Sequence, residues 1–501
     1  MLPGSFLIIM TIKIYNTFTR KKEAFEPLTS GYVRMYVCGI TAYDRCHIGH
    51  ARSAVVFDAV LRYLRYRGFE VNFIRNFTDI DDKIINRSIE EGISPKALAD
   101  REIRHFSQDM DALGVFCATK EPRATEHIQE IIELIEILIT KGHAYTSGGD
   151  VYFSVRSFSG YGALSRRNIA EMRAGARIAV GEEKQDPMDF ALWKAAKPGE
   201  PKWDSPWGQG RPGWHIECSA MSMKYLGPTL DIHGGGLDLI FPHHENERAQ
   251  SEAATGKTFV RFWMHNGFVT ILSEKMSKSL GNFITIREIL EKHHPEVLRL
   301  FLLSKHYRSP LDYSPDILME TTCALDRCYT ALSEAIHLAE RSIKKQRLLT
   351  YEAKESIETL DHLKNRFEYA MDDDFNTAQA IGHLFDGVRA LNRLGQEAEK
   401  RPSVLYAEPL KFGVQTIQDT FRVLGLLNQE PDAYLRNRNL EALGLLGMTE
   451  ADVLKVIKDR TRAREEKDWA TADRIRDALE AKGIILKDGP DGTFWTIKPL
   501  T

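Results

Sequence analysis

The stretch Tyr36-Val-Cys-Gly-Ile-Thr-Ala-Tyr-Asp-Arg-Cys-His-Ile-Gly-His-Ala-Arg52 constrains this chain more than any other. Residues 35–37 are apolar and read as a short buried strand, with Cys38 and Gly39 just after its end. His47-Ile-Gly-His50 then leads into a strongly helical run over 54–66. Strand, glycine-bearing turn and helix open a nucleotide-binding α/β unit. The start of such a helix offers unpaired N–H groups and a positive dipole end, both suited to phosphate. Two histidines three apart, with Gly49 between them, bring imidazoles close to that phosphate. Alone, the quartet also suits two surface histidines at a helix start, so its meaning depends on a second motif elsewhere in the chain.

That second motif lies far downstream: Lys275-Met-Ser-Lys-Ser279, a lysine pair on a Ser/Gly-flanked loop. At 501 residues the chain has room for roughly two to four domains with full cores. Its net charge of −3 gives no bulk attraction to nucleic acid, so any RNA contact must come from local basic patches. Six cysteines (Cys38, Cys46, Cys117, Cys218, Cys323, Cys328) are too scattered for a disulfide scaffold. They fit a reducing compartment, and a cytoplasmic protein is expected. No apolar run nears the ~20 residues of a membrane span. Residues 6–10 are apolar but lack the basic flank and cleavage site of a signal peptide.

Residues 11–35 read as two short strands and 70–75 as a further strand. Asn76-Phe-Thr-Asp-Ile-Asp-Asp-Lys83 comes next, at the carboxyl end of a strand, where open α/β sheets place ligands. Asp79, Asp81 and Asp82 can bind a metal there, but an N-cap with solvated first-turn carboxylates is the simpler reading. Residues 94–113 and 125–141 carry helical periodicity, and 151–155 reads as a strand. Glycines then break 145–200 into short pieces, and the Trp/Pro/Gly-rich return over 201–213 is too apolar for a solvated linker. Trp214-His-Ile-Glu-Cys-Ser219 restarts the α/β pattern and runs into a helix over 220–225. A strand over 230–233 ends in Gly234-Gly-Gly236, and Phe241-Pro-His-His-Glu-Asn-Glu-Arg248 opens a helix. From 286 the chain reads as almost wholly helical, with a basic joint at 341–347 and a break near 436–447. A basic helical stretch over 454–482 and a short hairpin through Gly489 and Gly492 close it. His243 and Glu247 are four apart and so face one way, but spacing alone does not single them out from His244 and Glu245.

The His47–His50 and Lys275–Ser279 motifs together resemble the two signatures of class I aminoacyl-tRNA synthetases. The cysteines and their contexts resemble the cysteinyl-tRNA synthetase family. The resemblance starts near Thr11-Ile-Lys-Ile-Tyr-Asn-Thr17, so Met10 is expected as the true start, or 1–10 as an extension. Ile40 and Ala42 depart from the family's usual proline and valine without removing a functional group.

The resemblance implies a Zn²⁺ ion on Cys38, Cys218, His243 and Glu247. It implies ATP, with Mg²⁺, bound by His47, His50 and Lys278, and catalysis by those three with Lys275. Gly39, Thr41, Thr78, Trp214 and His233 are implied as walls for the amino acid. The implied fold is α/β, a Rossmann-like catalytic domain with an insertion, then a helical anticodon-binding bundle and a small C-terminal module. The implied boundaries are an extension at 1–10, catalytic halves at 11–115 and 206–310, an insertion at 116–205, the bundle at 311–435 and the module at 436–501. In the last two, 341–347 and Lys455, Lys458, Arg460, Arg462, Arg464 and Lys467 with Trp469 are candidates for phosphate contacts and a stacking face. The implied activity joins L-cysteine to tRNA(Cys) using ATP, by a monomer with no membrane partner. The alternatives are a cysteine ligase of the mycothiol-biosynthesis type, against which the long helical tail argues, and a non-catalytic tRNA-binding paralogue, against which both intact signatures argue.

Overall fold

The computed structural model describes residues 11–168, 184–271, 274–275, 283–341, 343–489 and 492–497. They fall into two compact units. One holds the chain up to 314 with Asn365–His383 and Val423–Gly425; the other holds Pro315–Lys364, Leu384–Arg422 and the chain from Leu426.

The first unit is built on a parallel sheet whose strands run, across it, Val260–Asn266, Leu230–Gly236, Tyr32–Thr41 and Glu70–Thr78. Its strands read as near-continuous apolar runs because both faces are covered: Val33, Met35, Tyr36 and Val37 are buried, as are Val71, Phe73 and Ile74. The halves meet where Tyr36 pairs with His233, and each winds outward from there. That seam is a topological switch point, the place where open α/β sheets bind ligands.

The strand expected to end at residue 37 runs on to Thr41. Its pairing with Glu70–Thr78 slips between Val37 and Ile40, a β-bulge at Cys38 and Gly39. Only glycine fits at position 39, because a Cβ there would fall 1.5 Å from Asn76 O. The Gly39 N–H instead donates to Asn76 Oδ1 at 3.0 Å. The next helix, Ile48–Tyr66, starts earlier than its apolar spacing suggests, because His47 caps it. Likewise the helix expected over 220–225 is Trp214–Leu226, bounded by Gly213 and by Gly227 at φ +85°.

The three aspartates of the 76–83 cluster have structural partners. Asp79 accepts from Thr125 N and Oγ1, Asp81 caps the helix Asp82–Glu91, and Asp82 pairs with Lys194 and Arg211. Between the halves lies an antiparallel sheet of Ala144–Ser147, Asp150–Phe153, Phe190–Ala195 and Gly210–Pro212. Its core, with Ile131, Phe153, Leu192 and Trp193, continues into Ile216 and Ala220 of Trp214–Leu226 and Ala249 and Ala253 of His243–Thr255. Each fully buried Ile, Leu or Phe side chain there contributes on the order of 1.5–3 kcal/mol. The insertion therefore braces the two helices that carry Cys218, His243 and Glu247.

The second unit is helical, with Pro315–Glu340, Tyr351–Asp361, Ala407–Arg422 and Pro431–Leu445 among its helices. The break expected near 436–447 is confined to its end: Pro431–Leu445 runs through most of it, and the chain turns at Gly447, φ +65°, before the helix that starts at Glu450. Tyr434 holds Pro431–Leu445 by stacking on Tyr329 with ring centroids 3.8 Å apart and bonding Asp326 at 2.7 Å, contacts that no periodicity reveals. The basic stretch expected as one helix is two, Glu450–Glu465 and Trp469–Glu480, parted where Lys467 adopts φ +62°. Arg460, a candidate phosphate contact, is instead buried and paired with both oxygens of Asp488 at 2.8 and 2.9 Å. The hairpin Ile484–Gly489/Gly492–Ile497 is present as expected. Among the described residues no helix is long and apolar enough to cross a membrane.

Candidate metal centre and active site

Residues from both halves converge at the switch point. Cys38 Sγ, carried by the bulge, lies 3.7 Å from Cys218 Sγ and 3.3 Å from Glu247 Oε1. Glu247 Oε1 lies 2.9 Å from His243 Nε2. One ligand atom from each of these four residues lies within 4.8 Å of all the others. A tetrahedral Zn²⁺ with bonds of about 2.0–2.3 Å has ligand-to-ligand edges of roughly 3.3–3.8 Å. The two Cys38 distances match such edges, while Glu247 and His243 stand at hydrogen-bond distance, so the donor set fits the ion in chemistry and its two Cys38 edges fit in spacing. A second grouping, Cys38, His233, His244 and Glu247, meets the same 4.8 Å limit, with His244 Nε2 3.3 Å from Cys38 Sγ.

Around these donors stands a layer of imidazoles. His233 Nε2 lies 2.8 Å from Glu247 Oε2, and His215 Nδ1 lies 2.9 Å from His243 Nδ1. His244 Nδ1 lies 2.8 Å from His265 Nε2, whose own Nδ1 is 2.8 Å from Thr17 Oγ1. A histidine that ligates through Nε2 donates through Nδ1, and the group receiving that proton fixes the ring. His215 is the receiver for His243. Trp214 stacks on the His243 ring at 4.2 Å.

Burial penalises every charge here, so the charges that persist are paired. Hydrogen bonding from Cys38 pulls the Cys218 thiol down to about 6, against its own burial. Burial pushes the Cys38 thiol well up. Burial also opposes charge on Glu247 and His243, yet His233 and His243 hold the Glu247 carboxyl well below its usual range, and Glu247 raises His243 to about 10. Burial drives His215 and His244 well below the usual imidazole value and His265 down to about 3. A thiolate and a carboxylate ionised about one point at neutral pH are what a divalent cation requires.

At the mouth, His47 Nδ1 accepts from Gly49 N at 3.0 Å, and His50 Nδ1 accepts from His47 N at 3.2 Å, a capping box. The two rings lie 3.9 Å apart and line a crevice with Thr41, Tyr43, Asp44, Arg45 and Phe283. Lys275 lies on the short strand Glu274–Lys275, and Lys278 lies outside the described residues. Thr78 ends its strand with Oγ1 donating to Glu217 Oε2 at 2.8 Å. Trp214 is partly exposed and His233 fully buried. Sequence reasoning passed over Asn76, His215, Glu217 and His265. None carries a local signal, since each acquires a role only through a contact distant in sequence.

The catalytic unit matches the family model for the class I (C) tRNA synthetase catalytic domain over residues 24–323. A DALR domain matches at 366–428 and a cysteinyl-tRNA ligase anticodon binding domain at 449–495. In fold, the chain is similar to methionyl-tRNA synthetase from Mycobacterium tuberculosis in complex with methionyl-adenylate, at TM-score 0.57 and 18% identity over 82% of this chain and 94% of that one. Fold and site together define a class I aminoacyl-tRNA synthetase. The chain is 53% identical to a cysteine–tRNA ligase of Desulfotalea psychrophila over 97% of its length and 99% of the relative's, and 55% identical to one of Syntrophotalea carbinolica over the same shares. The chain belongs to the cysteine–tRNA ligase family.

Proposed function

We propose that the chain joins L-cysteine to tRNA(Cys) using ATP, and that Zn²⁺ on Cys38, Cys218, His243 and Glu247 selects the substrate by its thiolate. The observation that carries this reading is the meeting of two sulfurs, an imidazole and a carboxylate within 4.8 Å of one another on the switch point of a class I catalytic unit. An apolar pocket separates near-isosteres by only ~1–3 kcal/mol. Bound there, Zn²⁺ supplies soft coordination that holds a thiol deprotonated, for which the hydroxyl of serine cannot compete at neutral pH.

The chain's own side chains do the rest. Gly39, Thr41, Thr78, Trp214 and His233 seat the amino acid so that its carboxylate meets the α-phosphorus of ATP, and pyrophosphate leaves. Charge grows on phosphoryl oxygens, so preorganised donors matter most. His47 and His50 supply donors at the helix start, and Lys275 and Lys278 are assigned to the phosphates of the nucleotide, with Mg²⁺ accompanying it. The 3′-terminal hydroxyl of tRNA then displaces AMP. The protein acts as a monomer in the cytoplasm.

The test is cysteine-dependent pyrophosphate exchange on purified full-length protein, then transfer of labelled cysteine to tRNA, with zinc measured on the same sample. Exchange with cysteine but not serine, transfer, and about one zinc per chain are expected. A metal-free enzyme that still refuses serine overturns the zinc reading. Exchange without transfer overturns the tRNA assignment in favour of a mycothiol-type ligase.

A further inference from the structure

We propose that Glu217 receives the α-ammonium group of the substrate cysteine, with Thr78, held by it, as the second acceptor. The proposal rests on the metal quartet fixing the substrate sulfur. Glu217 stands in the first turn of Trp214–Leu226, immediately before Cys218, and is 0% exposed. Its Oε2 accepts from Thr78 Oγ1 at 2.8 Å. Its Oε1, also buried, has no partner among the described residues. Leaving a buried acceptor unmatched costs ~1–3 kcal/mol, and more for a charged group. A donor from outside the chain removes that cost.

The position suits an ammonium group. Asn76 and Thr78 are two apart on Glu70–Thr78, so their side chains share a face. Asn76 Oδ1 lies 3.7 Å from Cys218 Sγ, while Thr78 bonds Glu217, so this pair is one step along two elements from the quartet. The nitrogen of cysteine is three bonds from its sulfur, which places it about 3–4 Å from that sulfur in any staggered rotamer. Other carboxylates near the quartet are engaged: Glu247 by His243 and His233, Asp79 through both oxygens by Thr125. Glu217 Oε1 is the buried carboxylate oxygen near the quartet without a partner among the described residues. A metal that selects thiolates admits any small thiol; an ammonium acceptor beside it restricts entry to aminothiols.

Three thiols test this on the zinc-loaded full chain: cysteine as substrate, with cysteamine (no carboxylate) and 3-mercaptopropionate (no ammonium) as competitors in pyrophosphate exchange. In the wild type, cysteamine is expected to bind about ten- to hundredfold tighter than 3-mercaptopropionate. In Glu217→Gln, KM for cysteine and Ki for cysteamine are expected to rise by about the same factor, with Ki for 3-mercaptopropionate, KM for ATP and zinc content unchanged. Equal weakening of all three thiols, or weakening of none, overturns the proposal. Should Glu217→Gln fold poorly, the wild-type panel and Thr78→Val decide it: a wild type with no preference for the aminothiol, or a Thr78→Val enzyme that keeps that preference whole, overturns it. Zinc content, measured on each sample, tests the quartet separately.

Discussion

The sulfurs of Cys38 and Cys218, 180 positions apart in the chain, lie 3.7 Å from each other. They are not disulfide-bonded, and Cys38 donates to a Cys218 thiol that is held down to about 6. One cysteine comes from a bulge in a first-half strand and the other from a second-half helix, so the pair exists only when the sheet has closed across its seam.

Replacing Cys218 by Ser removes the more acidic of the two sulfurs. Zinc content is expected to fall from about one per chain towards zero, with KM for cysteine rising at least about a hundredfold in the same preparation. Elemental analysis beside pyrophosphate exchange checks this. Unchanged zinc would strike Cys218 from the ligand set.

Gly39→Ala puts a methyl group 1.5 Å from a backbone oxygen, and neither strand can yield without losing the bulge. A cost of several kcal/mol in stability is expected. Thermal unfolding should show the midpoint falling by about 5 °C or more, with cysteine activation lost even at temperatures where the chain stays folded. A midpoint within a degree of wild type would show that the bulge is not fixed by this contact.

Hydrogen bonds from Arg460 hold the Asp488 carboxyl well below its usual range, although 39% of that side chain is exposed. A carboxyl depressed on folding adds stability that is complete above its unfolded value of about 3.9, declines below it, and is gone only once pH has fallen through the depressed folded value. Asp488→Asn should therefore weaken the last module by about 1 kcal/mol at pH 7, a figure kept small by that exposure, and by measurably less near pH 3, where the unfolded chain is already mostly protonated. Amide hydrogen exchange over 450–489 in the full chain reads the difference. A deficit equally large at both pH values would assign the effect to packing.

Trp469 opens its helix and is 59% exposed, beside the exposed Lys467. Stacking of one base on an aromatic ring is worth about 1–3 kcal/mol. Trp469→Ala is expected to raise KM for tRNA about tenfold in aminoacylation and to leave pyrophosphate exchange unaltered. An equal fall in both assays would mean that the residue supports the fold rather than RNA binding.

Local chemistry was legible in the chain where local physics decides the outcome. Asp81 was readable as an N-cap because a short acidic side chain before a helix bonds the backbone two residues on. The hairpin through Gly489 and Gly492 was readable from its turn residues. The break expected over 436–447 begins only after Leu445, because Tyr434 on Tyr329 holds a helix that periodicity does not support. Arg460 was misread as an RNA contact because nothing in a basic run marks the one member that turns inward to Asp488.

Sequence by itself determined the order of the elements, the family and the chemical types able to hold a soft cation. Those come from residue identity and short-range spacing. Tertiary structure alone brought Cys38 and Cys218 into contact, put His215 behind His243, and left Glu217 with one oxygen unmatched beside Thr78. The reason is that a parallel sheet joined at a switch point places side by side residues that long crossover connections keep far apart in the chain, and no local pattern encodes that meeting.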